Sequence, residues 1–313
     1  MHRHTLSRWQ HDHRFHLDHA HGERATRRVI ALTVTMMVVE IAAGVVFGSM
    51  ALLADGWHMG THAVALGITA LAYYYARRHA DNPRFSFGTG KVGELGGFAS
   101  AVVLAVVALV MAVESVERLV TPQPIRFNEA IAVAVAGLVV NVVSALMLQD
   151  RHDHGHPAPA DRAGHAHDHN LRAAYLHVLA DALTSLLAVF ALLAGKALGW
   201  VWMDPLMGVV GALIITRWAW GLLRDTARVL LDRDVDPRLV AEVATRIEAQ
   251  DDNRVADIHV WRVGAHSLAA IVSIVTHAPQ PPEHYKNLLA GFAEIVHVTV
   301  EVNACAGESC LKT

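Results

Sequence analysis

The sequence predicts a helical membrane bundle of six transmembrane spans followed by a small α+β domain, and three observations carry that expectation. The 313-residue chain is 53% hydrophobic and only 18% charged. Its apolar residues gather into six blocks, each at or above the roughly 20 residues a helix needs to cross a bilayer. From about residue 232 the pattern changes to the alternating, charge-bearing one of a water-soluble fold.

The blocks fall at residues 29–50, 51–75, 92–119, 128–148, 171–198 and 201–223, inside a membrane domain spanning 29–225. The first carries Gly44 and Gly48 at the spacing that lets helices approach closely, and also Glu40, which such a segment would turn toward other helices or water. Only a minimal turn at Gly48 and Ser49 separates it from the second block. Tyr73, Tyr74 and Tyr75 followed by Arg77 and Arg78 read as an interfacial aromatic belt meeting cytoplasmic charge. Gly93, Gly96 and Gly97 give the third block a close-packing face, and Thr121, Pro122, Gln123 and Pro124 make a turn before the fourth. Basic residues concentrate in the N-terminal tail, after the second and fourth blocks and beyond the sixth. The opposite loops hold only Arg118, Arg126 and Lys196. The positive-inside rule then gives a multi-pass protein with both termini in the cytoplasm.

The soluble part, 232–303, reads as helix 237–250, strands 257–263 and 268–277, helix 282–294 and strand 297–303. This α-β-β-α-β order suggests a ferredoxin-like sheet with both helices on one face. The net charge of −3 and an aromatic content of 6% argue against a nucleic-acid partner. Cys305 and Cys310, in a final tail at 304–313, form no disulfide framework and suit a reducing compartment; metal ligation and a bland tail both remain open for them.

Histidine is the compositional outlier, with 22 residues. Seven lie in the polar tail 1–28, which has no signal-peptide run and reads either as a metal collector or as an incidental end. Six more, His152, His154, His156, His165, His167 and His169, lie in the segment 150–170. Its Pro, Ala and Asp cannot build a core, so it reads as an accessory metal-collecting loop, with a plain linker as the alternative.

Two motifs inside apolar blocks carry the chemistry. His58 and His62 are four residues apart in the second block, and His177 and Asp181 are four apart in the fifth. That spacing puts both members of a pair on one helix face. A lone buried histidine is more often a packing residue, but two such pairs in membrane spans point to an ion pathway. Three imidazoles and a carboxylate suit a tetrahedral Zn²⁺, Co²⁺ or Ni²⁺ site and not Mg²⁺ or Ca²⁺. With all four positions filled by protein, none is needed for a reacting substrate, which favours transport over an enzyme. Protons and metal compete for these ligands, the physical basis of proton-coupled exchange. Asp55, three residues before His58, either orients an imidazole or marks the cytoplasm-distal edge of the cavity. A membrane metallo-hydrolase is disfavoured because no glutamate follows His58. A metal-storage or sensing protein is the other alternative, motivated by the His-rich segments.

These features resemble the cation diffusion facilitator family over about residues 25–303. The resemblance rests on the paired motifs, the His-rich loop and five further stretches. These are Ser49-Met50-Ala51-Leu52-Leu53-Ala54-Asp55, Phe85-Ser86-Phe87-Gly88, Asp204-Pro205, Asp257-Ile258-His259-Val260-Trp261 and His297-Val298-Thr299-Val300. The form around Trp57 to His62 is most similar to the DmeF-type bacterial branch associated with cobalt. The resemblance implies a homodimeric antiporter in the lipid bilayer that exports divalent metal in exchange for protons and confers metal resistance. Zinc-exporting members usually carry aspartate where this chain has His62, a departure that by ligand preference tilts toward Co²⁺ and Ni²⁺ while leaving Zn²⁺ possible. The resemblance further implies a regulatory metal site in the C-terminal domain at His259, His277, His297 and Glu301, with His266 and Asp257 as neighbours. A loop site at His79 and Asp81 is implied by some members.

Overall fold

The computed structural model describes residues 23–149, 182–264 and 267–306, with side chains for 31–143 (His62 and Leu66 excepted), 182–264 and 267–306. The chain divides into a helical unit, His19–Ile68 with Ala99–Leu222, and a sheet unit, Thr69–Phe98 with Leu223–Thr313.

Six long helices follow the apolar blocks: α1 (Glu23–Phe47), α2 (Met50–Arg78), α3 (Val92–Val120), α4 (Phe127–Gln149), α5 (Ala182–Leu198 within the described residues) and α6 (Met203–Leu230). Among the described residues α3 and α6 are long and apolar enough to span a bilayer by themselves, and Ala31–Phe47, Phe127–Val143 and Ala182–Leu198 are shorter apolar helices. α2 is less apolar because Asp55, His58, Thr61 and His62 interrupt it. Three of the helices outrun their apolar blocks: α1 begins at Glu23, α2 continues through the charged pair to Arg78 and α6 to Leu230. A helix needs only continuous backbone hydrogen bonds, and nothing at the end of an apolar stretch removes them.

Inside the helical unit, α2, α3 and α6 share a core of Ala54, Leu104, Ala108, Met111, Ala212, Ile215 and Ala219. α1, α2, α4 and α5 share another built on Ala43, Leu52, Ala130, Ala134, Val189 and Leu192. Alanines dominate both, so the backbones pack closely, as in helix bundles that lipid surrounds. Valines and leucines on the other side of α3, including Val106, Leu109, Val110 and Val113, stay exposed; water would penalise such a surface and hydrocarbon would not.

The turn between α1 and α2 is tied down from a distance. Gly48 adopts φ +76°, closing α1, and Arg118 Nη1 donates to its carbonyl at 2.8 Å. Ser49 caps α2, its Oγ accepting from Leu52 N at 3.1 Å. Asp204, at the start of α6, completes the cap. Its carboxylate accepts from Ser49 Oγ at 2.6 Å, Met50 N at 2.7 Å and Ala51 N at 3.1 Å. A carboxylate at a helix N-terminus satisfies orphan donors and faces the positive end of the helix dipole.

The sheet unit contains α7 (Pro237–Glu248), β1 (Arg254–Gly264), β2 (Ser267–Thr276), α8 (Pro282–Leu288) and β3 (Ile295–Ala304). The sheet order is β1-β2-β3, with β1 antiparallel and β3 parallel to β2. Asp236 caps α7 and Pro237 starts it. α8 stops at Leu288, short of the expected 294, because turns at Ala290 and Phe292 replace helical bonds. One sheet face, with Val272, Ile274, Val298 and Val300, forms a core with Val243 and Ile247 of α7 and Tyr285 of α8. Both helices thus cover the same face, leaving the other open. On the open face the segment before α3 lays Phe87 edge-on against Trp261 at 5.3 Å and His297 at 5.6 Å, which gives the Phe-Ser-Phe-Gly motif a packing role.

Candidate metal site

The pairs read from sequence fall unevenly on the described residues. His177 and Asp181 lie outside them, as do the His-rich segment 150–170, the tail 1–22, His266 and Cys310, and the side chain of His62 is likewise outside. What is described is the frame that would hold a site.

His58 is buried on α2, with 3% of its surface exposed, and its ring meets Trp218 of α6 at a centroid distance of 5.3 Å, tilted by 48°. Thr61 Oγ1 donates to the His58 carbonyl at 2.6 Å, a local bond that spends the hydroxyl within α2. One turn earlier, Asp55 reaches across to α5. Its Oδ2 accepts from Ser185 Oγ at 2.6 Å and its Oδ1 from Thr184 Oγ1 at 3.1 Å. Ser185 Oγ in turn accepts from Asn141 Nδ2 of α4 at 2.9 Å. A buried carboxylate thus has hydroxyl donors on both oxygens, and α2, α4 and α5 are joined through one polar chain. Beside the two roles left open for Asp55, these contacts give it another: it fixes α2 against α5.

The direction of that pairing matters. Leu52, one turn before Asp55 on α2, shares a buried cluster with Val189 and Leu192, further along α5 than Ser185. The two helices therefore run antiparallel in register with Asp55 opposite Ser185.

In the sheet unit Asp257, His259, His297 and Glu301 share the open face, but not one spot. His259 pairs with Ile271, while His297 sits beside Ala269 and Glu301 beside Ser273, with β2 between the two edge strands. Two strand spacings, about 10 Å, and an offset of two residues along the strands separate the His259 and His297 backbones. His259 Nε2 lies 2.8 Å from Asp257 Oδ2. His277 stands past the end of β2, on the rung beyond Thr276, and its Nδ1 is hydrogen-bonded to Asp252. Asp252 also accepts from Thr276 Oγ1 at 2.6 Å and from His277 N. These bonds, that from Thr276 foremost, hold its carboxyl below the ordinary carboxylate value. His79 stacks on Tyr75 at 4.1 Å and its Nδ1 donates to the Tyr75 carbonyl at 2.9 Å, which leaves Nε2 as the basic nitrogen. Among the described residues no three His, Cys, Asp or Glu side chains converge as a metal site.

Sequence reasoning missed the supporting residues. Asp204 was visible only as part of a motif, and Ser185, Thr184 and Trp218 not at all. Ser185 had one usable signal: it lies four residues after Asp181, on the same helical stripe.

Residues 27–231 match the family model described as the cation efflux transmembrane domain. Three relatives match over nearly their full length. The zinc transporter ZitB of Escherichia coli is 32% identical, covering 94% of this chain and 92% of its own. The metal cation efflux system protein CzcD of Cupriavidus metallidurans is 31% identical over 91% and 88%. A cadmium, cobalt and zinc/H(+)-K(+) antiporter of Bacillus subtilis is 24% identical over 91% and 92%.

Proposed function

The chain belongs to the cation efflux family, the cation diffusion facilitators, and from that premise we propose that it exports divalent transition-metal ions from the cytoplasm in exchange for protons. His58, His62, His177 and Asp181 are the proposed transport ligands. The observation that carries this is the Asp55–Ser185 bridge between antiparallel α2 and α5. The proposed site follows from carrying that register on by helical spacing, one turn forward along α2 to 58 and one turn back in sequence from Ser185 to 181. A second turn in the same sense would pair 177 with 62. The proposal joins the two i,i+4 pairs into one four-donor site beside the bridge that ties α2 to α5. Trp218 backs His58 and limits its rotation, so the imidazole would be presented rather than recruited.

The ligand set accepts Zn²⁺, Co²⁺ and Ni²⁺, and His62 in place of the usual aspartate favours the nitrogen-preferring ions Co²⁺ and Ni²⁺, as in the cobalt-associated branch. The named cargoes of the relatives, zinc, cadmium and cobalt, fit the same donor chemistry. We place six spans in the bacterial inner membrane with both termini cytoplasmic, following the distribution of Lys and Arg. A homodimer is proposed for the C-terminal domain. One chain's open sheet face offers separated donors at His259, His297 and Glu301, and a second copy could supply the missing neighbours for regulatory metal. The His-rich segment 150–170 is proposed to raise local metal concentration, and His79 with Asp81 to add a weak loop site.

The test is stopped-flow metal uptake into proteoliposomes carrying the full chain under an imposed pH gradient, with Co²⁺, Ni²⁺ and Zn²⁺ in competition. Export predicts flux above protein-free vesicles that rises with the gradient. Stoichiometric metal binding without flux would instead support a storage or sensing role, and metal-dependent hydrolysis of added esters would support an enzyme.

A further inference from the structure

Among the described residues Glu40 is a buried ionisable group that no part of the transport mechanism uses. It lies on α1 with 0% of its surface exposed, and neither carboxyl oxygen has a hydrogen-bond partner among the described residues. Asp55 and Asp204, equally enclosed, are each held by hydroxyl or backbone donors.

Its surroundings are shaped to admit it. Gly137 of α4 faces the carboxyl so closely that a Cβ there would stand 1.8 Å from Glu40 Oε1, and a Cβ on Gly56 of α2 would stand 3.0 Å from Glu40 Cβ. Any side chain at 137 would evict the carboxyl. The acidic group that acts on it is Asp55, on α2; α4 presents Gly137 at the contact, and the adjoining turns of α1 carry Met36, Ala43 and Gly44. A bare carboxylate in such a place, opposite a second carboxylate and without donors, is far costlier than the neutral acid.

We propose that Glu40 is a proton-carrying site of the exchange, separate from the metal ligands. Resting on the proton-coupled reading above, it takes up one H⁺ when its cavity opens to the proton-rich side, forming an O–H bond. In the sealed arrangement described here that proton is occluded. On the opposite side the O–H bond breaks and H⁺ passes to water. Ionised Glu40 repels Asp55, the residue that bridges α2 to α5, so its loss of the proton bears directly on the contact that sets the metal layer. Glu40 thereby acts on the proton and not as a holder of the metal.

The full chain in proteoliposomes gives two readouts with Zn²⁺ as probe: uptake driven by a pH gradient, and Zn²⁺–Zn²⁺ exchange with no gradient. Glu40→Gln, nearly isosteric, should lose gradient-driven uptake by about tenfold or more while keeping exchange near the wild-type rate. Glu40→Asp should restore part of the gradient response. Gradient-driven uptake that survives Glu40→Gln unchanged overturns the proposal. So does loss of both readouts in a protein of wild-type thermal stability, which would mark a purely structural role. A wild-type flux indifferent to the pH gradient overturns the coupled-exchange reading itself, and the wild-type trace alone tells the two failures apart.

Discussion

The helical unit and the sheet unit use the same chemical pieces, carboxylates beside histidines or hydroxyls, in opposite settings. In the helical unit Asp55 and Asp204 are buried and each bridges two helices. In the sheet unit Asp257 and His259 meet on an exposed strand, with 62% and 63% of their side chains accessible. Removing a buried partner strands the remaining group away from water, whereas an exposed pair is screened and worth little. Asp55 and Asp204 therefore tie the helical unit together, whereas the exposed Asp257–His259 pair can change at small cost.

The largest expected effect tests the buried side of that contrast. Asp181→Ala removes one of the four proposed ligands and should bring metal flux down to that of protein-free vesicles, because a three-donor site without its carboxylate loses both charge and geometry. Deleting 150–170 should leave flux reduced by no more than about tenfold. Equal severity would show that the His-rich segment belongs to the pathway and not to its approach.

Next in size is the bridge. Ser185→Ala leaves Asp55 Oδ2 without its donor and Asn141 Nδ2 without its acceptor. Each stranded buried group costs about 1–3 kcal/mol, so thermal unfolding of the purified protein should come several degrees earlier, with flux falling alongside. Unchanged stability would mean that α2 and α5 are held by apolar packing alone.

How much of this was legible beforehand depended on range. The six apolar blocks and the α-β-β-α-β order of the C-terminal part could be read from periodicity, since both are local signals. His58 was legible through its spacing to His62. Ser185 and Asp204 were not, because their partners lie 130 and 155 residues away and nothing local marks a hydroxyl as a bridge or an aspartate as the cap of a distant helix. The gathering of His277 with His259 and His297 could not be judged from sequence either. It depends on strand register, and the rungs place His277 beyond the far end of β2. Glu40 was noted as a carboxylate in an apolar stretch, but that Gly137 makes room for it required the packing of α1 on α4.

A smaller effect is expected at the ligand that departs from the zinc pattern. His62→Asp exchanges a nitrogen donor for a charged oxygen and should shift the Co²⁺ to Zn²⁺ flux ratio toward zinc by about tenfold or less, without abolishing transport. A ratio that does not move would show that preference is set by the surrounding helices rather than by the fourth donor.

The smallest expected effect lies in the sheet unit. Asp252, bonded by Thr276, His277 N and the His277 ring, has its carboxyl held below the ordinary 3.8. A depressed carboxyl favours the folded state above its unfolded value, and the contribution fades as pH falls from about 5 through that value toward the lower folded one. Native-state hydrogen exchange in β1 and β2 should therefore show protection that weakens on acidification in the wild type. In Asp252→Asn protection should start lower at neutral pH and decline less steeply. Because the group sits at the sheet's margin the difference should be modest, and metal flux at neutral pH should stay close to wild type. A flux loss as deep as that of Ser185→Ala would break the contrast between the two units, since a marginal contact of the soluble part would then be governing the buried one.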